Sequence, residues 1–248
     1  MTNSRPFLRP LLVWAFGAPA LAVAVSLAYL TALLRWNGAK GFWAIAPGYI
    51  RLMSWLFGIR RSMAGWEDLP LEIREGRQPA IFVGNHTSLL DPPLLIATLP
   101  SHPVFLAKQE LGYVPFLGWV IWLADFIFIH RGDRGKAIQS LHRAAKRIHD
   151  GQSIAAFPEG TRSRGGELLP FKKGVFNLAW EAQVPLIPLG SLGGRHILPA
   201  GAWRVAPGDY HMRIGQPVEP KDHASAESLK QALEGRVRAL LEGQEHST

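Results

Sequence analysis

Two short stretches hold the residues best suited to chemistry. In NHTSLLD, Asn85 to Asp91, a histidine precedes an aspartate by five positions. A neutral imidazole whose second nitrogen bonds a carboxylate can take a proton from an alcohol. On one continuous helix, residues five apart point about 140° away from each other, so His86 and Asp91 can meet only across a bend. The flanking residues supply one. Ala80–Val83 is a short apolar run and predicts a buried strand. Gly84 and Asn85 break it, and Asp91-Pro92-Pro93 predicts a helix start with Asp91 as N-cap and Pro92 at the first helical position. Taken alone, this spacing fits a loop histidine beside a capping aspartate better than a catalytic pair.

The second stretch is FPEGTRS, Phe157 to Ser163, directly after another apolar strand candidate, Ser153–Phe157. Pro158-Glu159-Gly160-Thr161 turns the chain, and Arg162 and Arg164 follow. A glycine turn can aim backbone N–H groups at an anion, and a guanidinium offers a planar fork to phosphate oxygens. Alone, it reads as a charged surface turn.

In this order and spacing, the two stretches resemble blocks of the PlsC-type acyltransferase family, the 1-acylglycerol-3-phosphate acyltransferases. FIHR, Phe128 to Arg131, resembles a further block that commonly reads F-I-D-R, with His130 departing from the usual aspartate. VPLIPLG, Val184 to Gly190, resembles a fourth, and AKQELGYVPFLGW, Ala107 to Trp119, a fifth. The resemblance covers about residues 65 to 220. It implies that His86 is the general base on an acceptor hydroxyl and that Asp91 fixes its tautomer and stabilises the imidazolium. It also implies a phosphate site shaped by Glu159, Gly160, Thr161 and Arg162, with Lys108 and Arg131 as further cations. The reaction so implied moves a fatty acyl group from acyl-CoA or acyl carrier protein to the sn-2 hydroxyl of 1-acyl-glycerol-3-phosphate, giving phosphatidic acid. It needs no metal, no cofactor and no acyl-enzyme. Two other readings stay open: the same chemistry on glycerol-3-phosphate, a lyso-aminolipid or another lysophospholipid, and a catalytically inert membrane lipid-binding protein. The intact His86/Asp91 pair and FPEGTRS weigh against the last.

These residues need a scaffold that brings distant loops together. Short strand candidates near 80–83, 104–107, 125–130, 153–157, 186–189 and 210–214 alternate with helix candidates near 92–98, 134–149, 173–182 and 226–242. That alternation predicts an α/β sandwich, and the resemblance implies an α/β fold with a mixed central sheet flanked by helices. Tyr113, Phe116 and Trp119 lie in an apolar aromatic stretch. They read equally as core and as the wall of a groove for the acyl chain, since a long alkyl chain must leave water.

The N-terminal part has a different character. Leu11 to Leu34 carries no charge over 24 residues, enough for a bilayer span, and predicts a hydrophobic helical membrane anchor. Phe42–Ile59 is apolar but interrupted by Pro47 and Arg51, and reads as an interfacial helix. Arg51, Arg60 and Arg61 are placed to pair with lipid phosphates. The chain therefore divides into a membrane-associated segment, 1–62, and a catalytic domain, 63–248. Thioester donors are cytosolic, so the expected place is the cytoplasmic membrane with the catalytic domain facing the cytoplasm.

Composition agrees with this division. The 248 residues are 48% hydrophobic with nine Trp, and carry a net charge of +8. Such a charge favours an anionic partner. No nucleic-acid motif is visible, so the acidic membrane surface and phosphorylated lipids are the expected partners. The absence of cysteine excludes disulfides, thiolate catalysis and Cys-ligated zinc.

Overall fold

The computed structural model describes residues 38–130, 134–202 and 204–243. The expected anchor at Leu11–Leu34 and the candidate cation Arg131 lie outside the described residues. In chain order the elements are helix α1 (Gly38–Leu56), strand β1 (Ile59–Ala64), α2 (Leu71–Arg74), β2 (Ile81–Gly84), α3 (Asp91–Thr98), β3 (Val104–Lys108), α4 (Leu117–Leu123) and β4 (Ile127–Ile129). They continue with α5 (Arg134–His149), β5 (Ile154–Ala156), α6 (Gly174–Ala182), β6 (Leu186–Leu192), α7 (Gly194–Ile197), β7 (Gly208–Ile214) and α8 (Ala226–Glu242).

The seven strands form one sheet in the order β1-β7-β6-β2-β5-β3-β4. From β6 to β4 all neighbours are parallel, whereas β6 and β7 pair antiparallel. The sheet is therefore mixed, as expected. Parallel strands covered on both faces bury every residue, which explains the unbroken apolar runs. Alternate residues feed opposite layers. Ile81, Val83, Ile154, Ala156 and Leu186 pack with Phe176, Leu178, Ile148 and Leu233 of the helices α6, α5 and α8. Phe82, Ala155, Ile187 and Leu189 pack on the other side with Leu94, Leu95 and Ile73. Full burial of each such large side chain contributes roughly 1.5–3 kcal/mol.

Several expectations need correction. β1 is absent from the sequence reading because Arg60 and Arg61 interrupt its apolar pattern. It is an edge strand, where charge on the open side is normal, and it runs parallel to β7 along its whole length. The boundary drawn between residues 62 and 63 falls inside it. The interfacial segment Phe42–Ile59 is one continuous helix through Pro47 only as far as Leu56, and Ile59 already belongs to β1. The strand placed at Asp125–His130 shrinks to Ile127–Ile129, because Asp125 adopts a left-handed φ of 57° and its carboxylate pairs with Arg147. Among the described residues, no helix is long and apolar enough to cross a membrane.

The sheet topology decides where chemistry can occur. Four of the five sequence blocks reach past the carboxyl ends of adjacent parallel strands, and the fifth runs along β6 beside them. NHTSLLD follows β2, FPEGTRS follows β5, Lys108 ends β3, His130 follows β4 and VPLIPLG runs along β6. In open parallel sheets, ligands bind in the crevice at this edge.

Candidate active site

Asn85 is the first residue beyond β2. Its side-chain amide acts as an extra ladder rung. Nδ2 donates to the Ser191 carbonyl at 2.9 Å, and Oδ1 accepts the Ser191 N–H at 2.7 Å. The loop after β2 is thereby pinned to the end of β6. Tyr210, fully buried on β7, donates its hydroxyl to Ser191 Oγ at 3.0 Å and braces the same point.

The next residue is His86. Its Nδ1 lies 3.0 Å from Asp91 Oδ2. The same oxygen accepts the backbone N–H groups of Thr87 at 2.7 Å and Ser88 at 2.8 Å. Asp91 is 0% exposed; three donors on Oδ2 offset much of its lost hydration, while Oδ1 is buried without a hydrogen bond among the described residues. This corrects the N-cap expectation. Leu90 occupies the cap position, Asp91 is the first helical residue, and its side chain turns back onto the preceding loop. With Nδ1–H held by the carboxylate, Nε2 is left with its lone pair. The imidazole also stacks on Phe157, centroids 4.5 Å apart and planes at 19°, so its tilt is fixed from both sides.

Glu159 has a different place from the one expected. It is 3% exposed and sits beneath the loop. Oε1 accepts the His86 N–H at 2.6 Å, and Oε2 accepts the Leu169 N–H at 3.1 Å. Both oxygens serve the backbone, so Glu159 shapes the site by holding His86 and does not reach out to a phosphate. Burial pushes its carboxyl up to about 7 against the pull of the two N–H donors, with the charges of Asp91 and Glu167 adding to the rise. The Ser163 N–H donates to the His86 carbonyl at 2.8 Å, so the second stretch grips both sides of the histidine backbone.

The remaining candidates divide. Gly160 turns the chain at φ 74°, Thr161 is exposed, and Arg162 is partly buried with no ion pair among the described residues. Lys108 reaches the same edge, but its Nζ pairs with Glu110 at 3.3 Å. Tyr113, Phe116 and Trp119 are 76%, 71% and 58% exposed. They are not core residues, because the 3₁₀ turn, the cap of α4 and α4 itself leave them exposed among the described residues. No group of three metal-ligating side chains occurs among the described residues.

Sequence reasoning also missed contributors. Gly194 backs directly onto the carboxylate: a Cβ there would lie 2.5 Å from Asp91 Oδ1. The Gly193-Gly194 doublet after β6 was the available signal. Ser191 and Tyr210 carried none, since a buried serine and tyrosine are ordinary in a core.

Residues 63–191 match the family described as Acyltransferase, just over half of the chain. The chain is 35% identical over 194 residues to the 1-acyl-sn-glycerol-3-phosphate acyltransferase alpha of Ovis aries, a match covering 76% of this chain and 65% of that protein. It is 34% identical over 172 residues to the 1-acyl-sn-glycerol-3-phosphate acyltransferase of Limnanthes douglasii, covering 69% and 59%. The chain thus spans less than two thirds of the length of these relatives. The crystal structure of the 1-acyl-sn-glycerophosphate (LPA) acyltransferase PlsC from Thermotoga maritima superposes with a TM-score of 0.82 at 26% identity, covering 98% of both chains.

Proposed function

The chain belongs to the acyltransferase family, and we propose that it transfers a fatty acyl group from an acyl thioester to the sn-2 hydroxyl of 1-acyl-glycerol-3-phosphate, forming phosphatidic acid. The observation that carries the reading is the 3.0 Å contact between His86 Nδ1 and a fully buried Asp91, placed at the carboxyl edge of the sheet. His86 Nε2 takes the proton of the acceptor hydroxyl as its oxygen attacks the thioester carbonyl. The new C–O bond forms and the C–S bond breaks. The imidazolium returns its proton to the leaving thiolate, and Asp91 stabilises the imidazolium between the two steps. The substrate hydroxyl is the nucleophile, so no protein side chain is acylated.

Arg162 is the cation we assign to the acceptor phosphate, with Gly160 and Thr161 lining the turn and Lys108 and Arg131 as further candidate cations from the blocks around β3 and β4. Glu159 holds the histidine. The donor is acyl-CoA or acyl carrier protein, and no metal or cofactor takes part. We place residues 1–62 at the membrane, with Leu11–Leu34 as its anchor and the catalytic domain on the cytoplasmic face. The exposed aromatic patch of Tyr113, Phe116, Trp119 and Trp122 supports contact with an apolar phase, since exposed apolar patches mark interaction surfaces.

The test is product identification. Purified protein in detergent is given acyl-CoA or acyl carrier protein with lysophosphatidate, glycerol-3-phosphate or lysophosphatidylethanolamine, and the lipids are analysed by mass spectrometry. Phosphatidic acid from lysophosphatidate at the highest kcat/KM is expected. A higher kcat/KM on either other acceptor contradicts the assignment.

A further inference from the structure

Away from the catalytic edge, two arginines converge on one backbone oxygen. Arg51 Nε, on α1, donates to the Ala97 carbonyl at 2.9 Å, and Arg61 Nη1, on β1, donates to the same oxygen at 3.1 Å. Ala97 lies in the last turn of α3, the helix that begins at Asp91. One guanidinium would suffice to cap that turn. Two bring like charges together, and burial together with the Arg51 charge lowers the pKa of Arg61. Neither has a carboxylate partner among the described residues.

The surroundings make this arrangement unusual for a purely structural one. Arg61 Nε is buried without a hydrogen bond, as are the hydroxyls of Thr98 and Ser101 just after the shared carbonyl. His102 follows, stacked on Trp43 at 5.2 Å, its pKa lowered by burial and then by the Arg51 charge. No Asp or Glu precedes Glu67 in the whole chain, so no acid on the N-terminal segment can neutralise the pair. Arg60, the neighbour of Arg61, points the other way and is forked onto Asp209 at 2.6 and 2.8 Å. The three arginines that sequence reading grouped together are thus of two kinds.

We propose that Arg51, Arg61 and the Thr98–His102 turn form a second phosphate-binding site, separate from the catalytic edge, whose ligand is the phosphate of an anionic lipid headgroup. The guanidinium N–H groups not spent on Ala97 are the donors, and an oxyanion between the arginines removes their repulsion. Leu52 and Trp55, on the same helix as Arg51, are 49% and 74% exposed. They set apolar side chains beside the cations, the pattern of a headgroup and its acyl chains. The proposal does not depend on which acceptor the enzyme acylates.

The test uses the full chain purified in an uncharged detergent. Dihexanoyl-phosphatidylglycerol, dihexanoylglycerol and inorganic phosphate are each titrated by calorimetry into wild type and the variants Arg51→Gln, Arg61→Gln, Arg60→Gln and Arg162→Gln. The phospholipid is expected to bind, and Arg51→Gln and Arg61→Gln each weaken it about tenfold or more, the loss of one charge-assisted hydrogen bond. Arg60→Gln changes it less than about twofold, and a loss in Arg162→Gln as large as that in Arg61→Gln would place the lipid at the catalytic edge and overturn the proposal. Inorganic phosphate that binds with the same variant pattern assigns the site to phosphate itself, and binding of the phospholipid alone assigns it to the headgroup with its chains. Equal losses in the Arg60 and Arg61 variants would mean diffuse charge and overturn the proposal. So would equal binding of the phosphate-free dihexanoylglycerol. If Arg61→Gln fails to fold, Arg51→Gln against Arg60→Gln decides the matter, because Arg51 is exposed.

Discussion

The loop between β2 and α3 and the surface segment from Gln109 to Trp122 partition their side chains in opposite ways. In the loop, the polar residues Asn85, Thr87, Ser88 and Asp91, with Glu159 beneath them, are all 6% exposed or less. In the segment, the aromatic residues Tyr113, Phe116, Trp119 and Trp122 are 58% exposed or more. The ordinary rule puts polar groups outside and aromatic groups inside. Buried polar groups are costly unless their partners are complete, and in the loop they are nearly so. Asn85 uses both ends of its amide, Glu159 both oxygens, and Asp91 Oδ2 takes three donors. Such a network fixes one geometry. The aromatic segment has no comparable network. Its side chains stand exposed. The contrast separates a region that holds atoms still from one whose apolar side chains are left open, which we propose faces the apolar phase.

If the loop is a fixed device, small changes inside it cost much. Asp91→Asn keeps the shape but puts an amide among three N–H donors and removes the charge that stabilises an imidazolium. A fall in kcat of about 10²–10⁴ is expected, measured by steady-state acylation of lysophosphatidate. A kcat within threefold of wild type would break the contrast. Arg162 lies between the two regimes, partly buried and without an ion pair among the described residues. Arg162→Ala should lower kcat/KM about ten- to a hundredfold on a phosphorylated acceptor. Arg162→Lys should restore only part, since an ammonium lacks the fork. Equal losses on an acceptor without phosphate, together with a lower Tm, would return Arg162 to the scaffold.

Glu159 gives a pH signature. Its carboxyl is raised in the folded state from an ordinary 4.5 to about 7. The neutral form is therefore favoured by folding. The stability it contributes is complete below about 4.5 and is lost as pH rises through about 7. Wild-type Tm should decline across that window relative to Glu159→Gln, whose own profile lacks this slope. At pH 8 the same variant loses one acceptor to a backbone N–H, which costs roughly 1–3 kcal/mol. Parallel Tm profiles for the two proteins would show that Glu159 is not the titrating group. The smallest effect belongs to the other region. Trp119→Ser and Phe116→Ser should change stability in detergent by no more than about 0.5 kcal/mol, as for surface sites generally. A loss of several kcal/mol by either would make the patch part of the core.

The legible parts of the chain follow from what local pattern can encode. β2, β5 and β6 show as apolar runs because both of their faces are covered. The bend between His86 and Asp91 shows in Gly84, Asn85 and the paired prolines. β1 does not show, because an edge strand tolerates Arg60 and Arg61. The turn at FPEGTRS reveals that Glu159 lies near the site, but nothing local tells whether a turn carboxylate points outward to ligand or inward to N–H groups. Its partners His86 and Leu169 are long-range on one side and ten residues away on the other. Gly194 behind Asp91 and Ser191 beneath Asn85 depend on the pairing of β2 with β6, about a hundred residues apart in the chain, which only the assembled sheet supplies. For Tyr113, Phe116 and Trp119 the residue types were read correctly as apolar, and the surface position of the turn that bears them was not visible.

The central claim is that His86 Nε2 removes the acceptor proton. It is tested most directly by kcat of His86→Ala on lysophosphatidate and acyl-CoA at saturation, with Tm recorded alongside. The account predicts a fall of about 10²–10⁴ with Tm unchanged within a few degrees, because the imidazole is a partly exposed side chain and the loop backbone keeps its bonds to Glu159 and Ser163. A folded His86→Ala protein that turns over at the wild-type rate would contradict it.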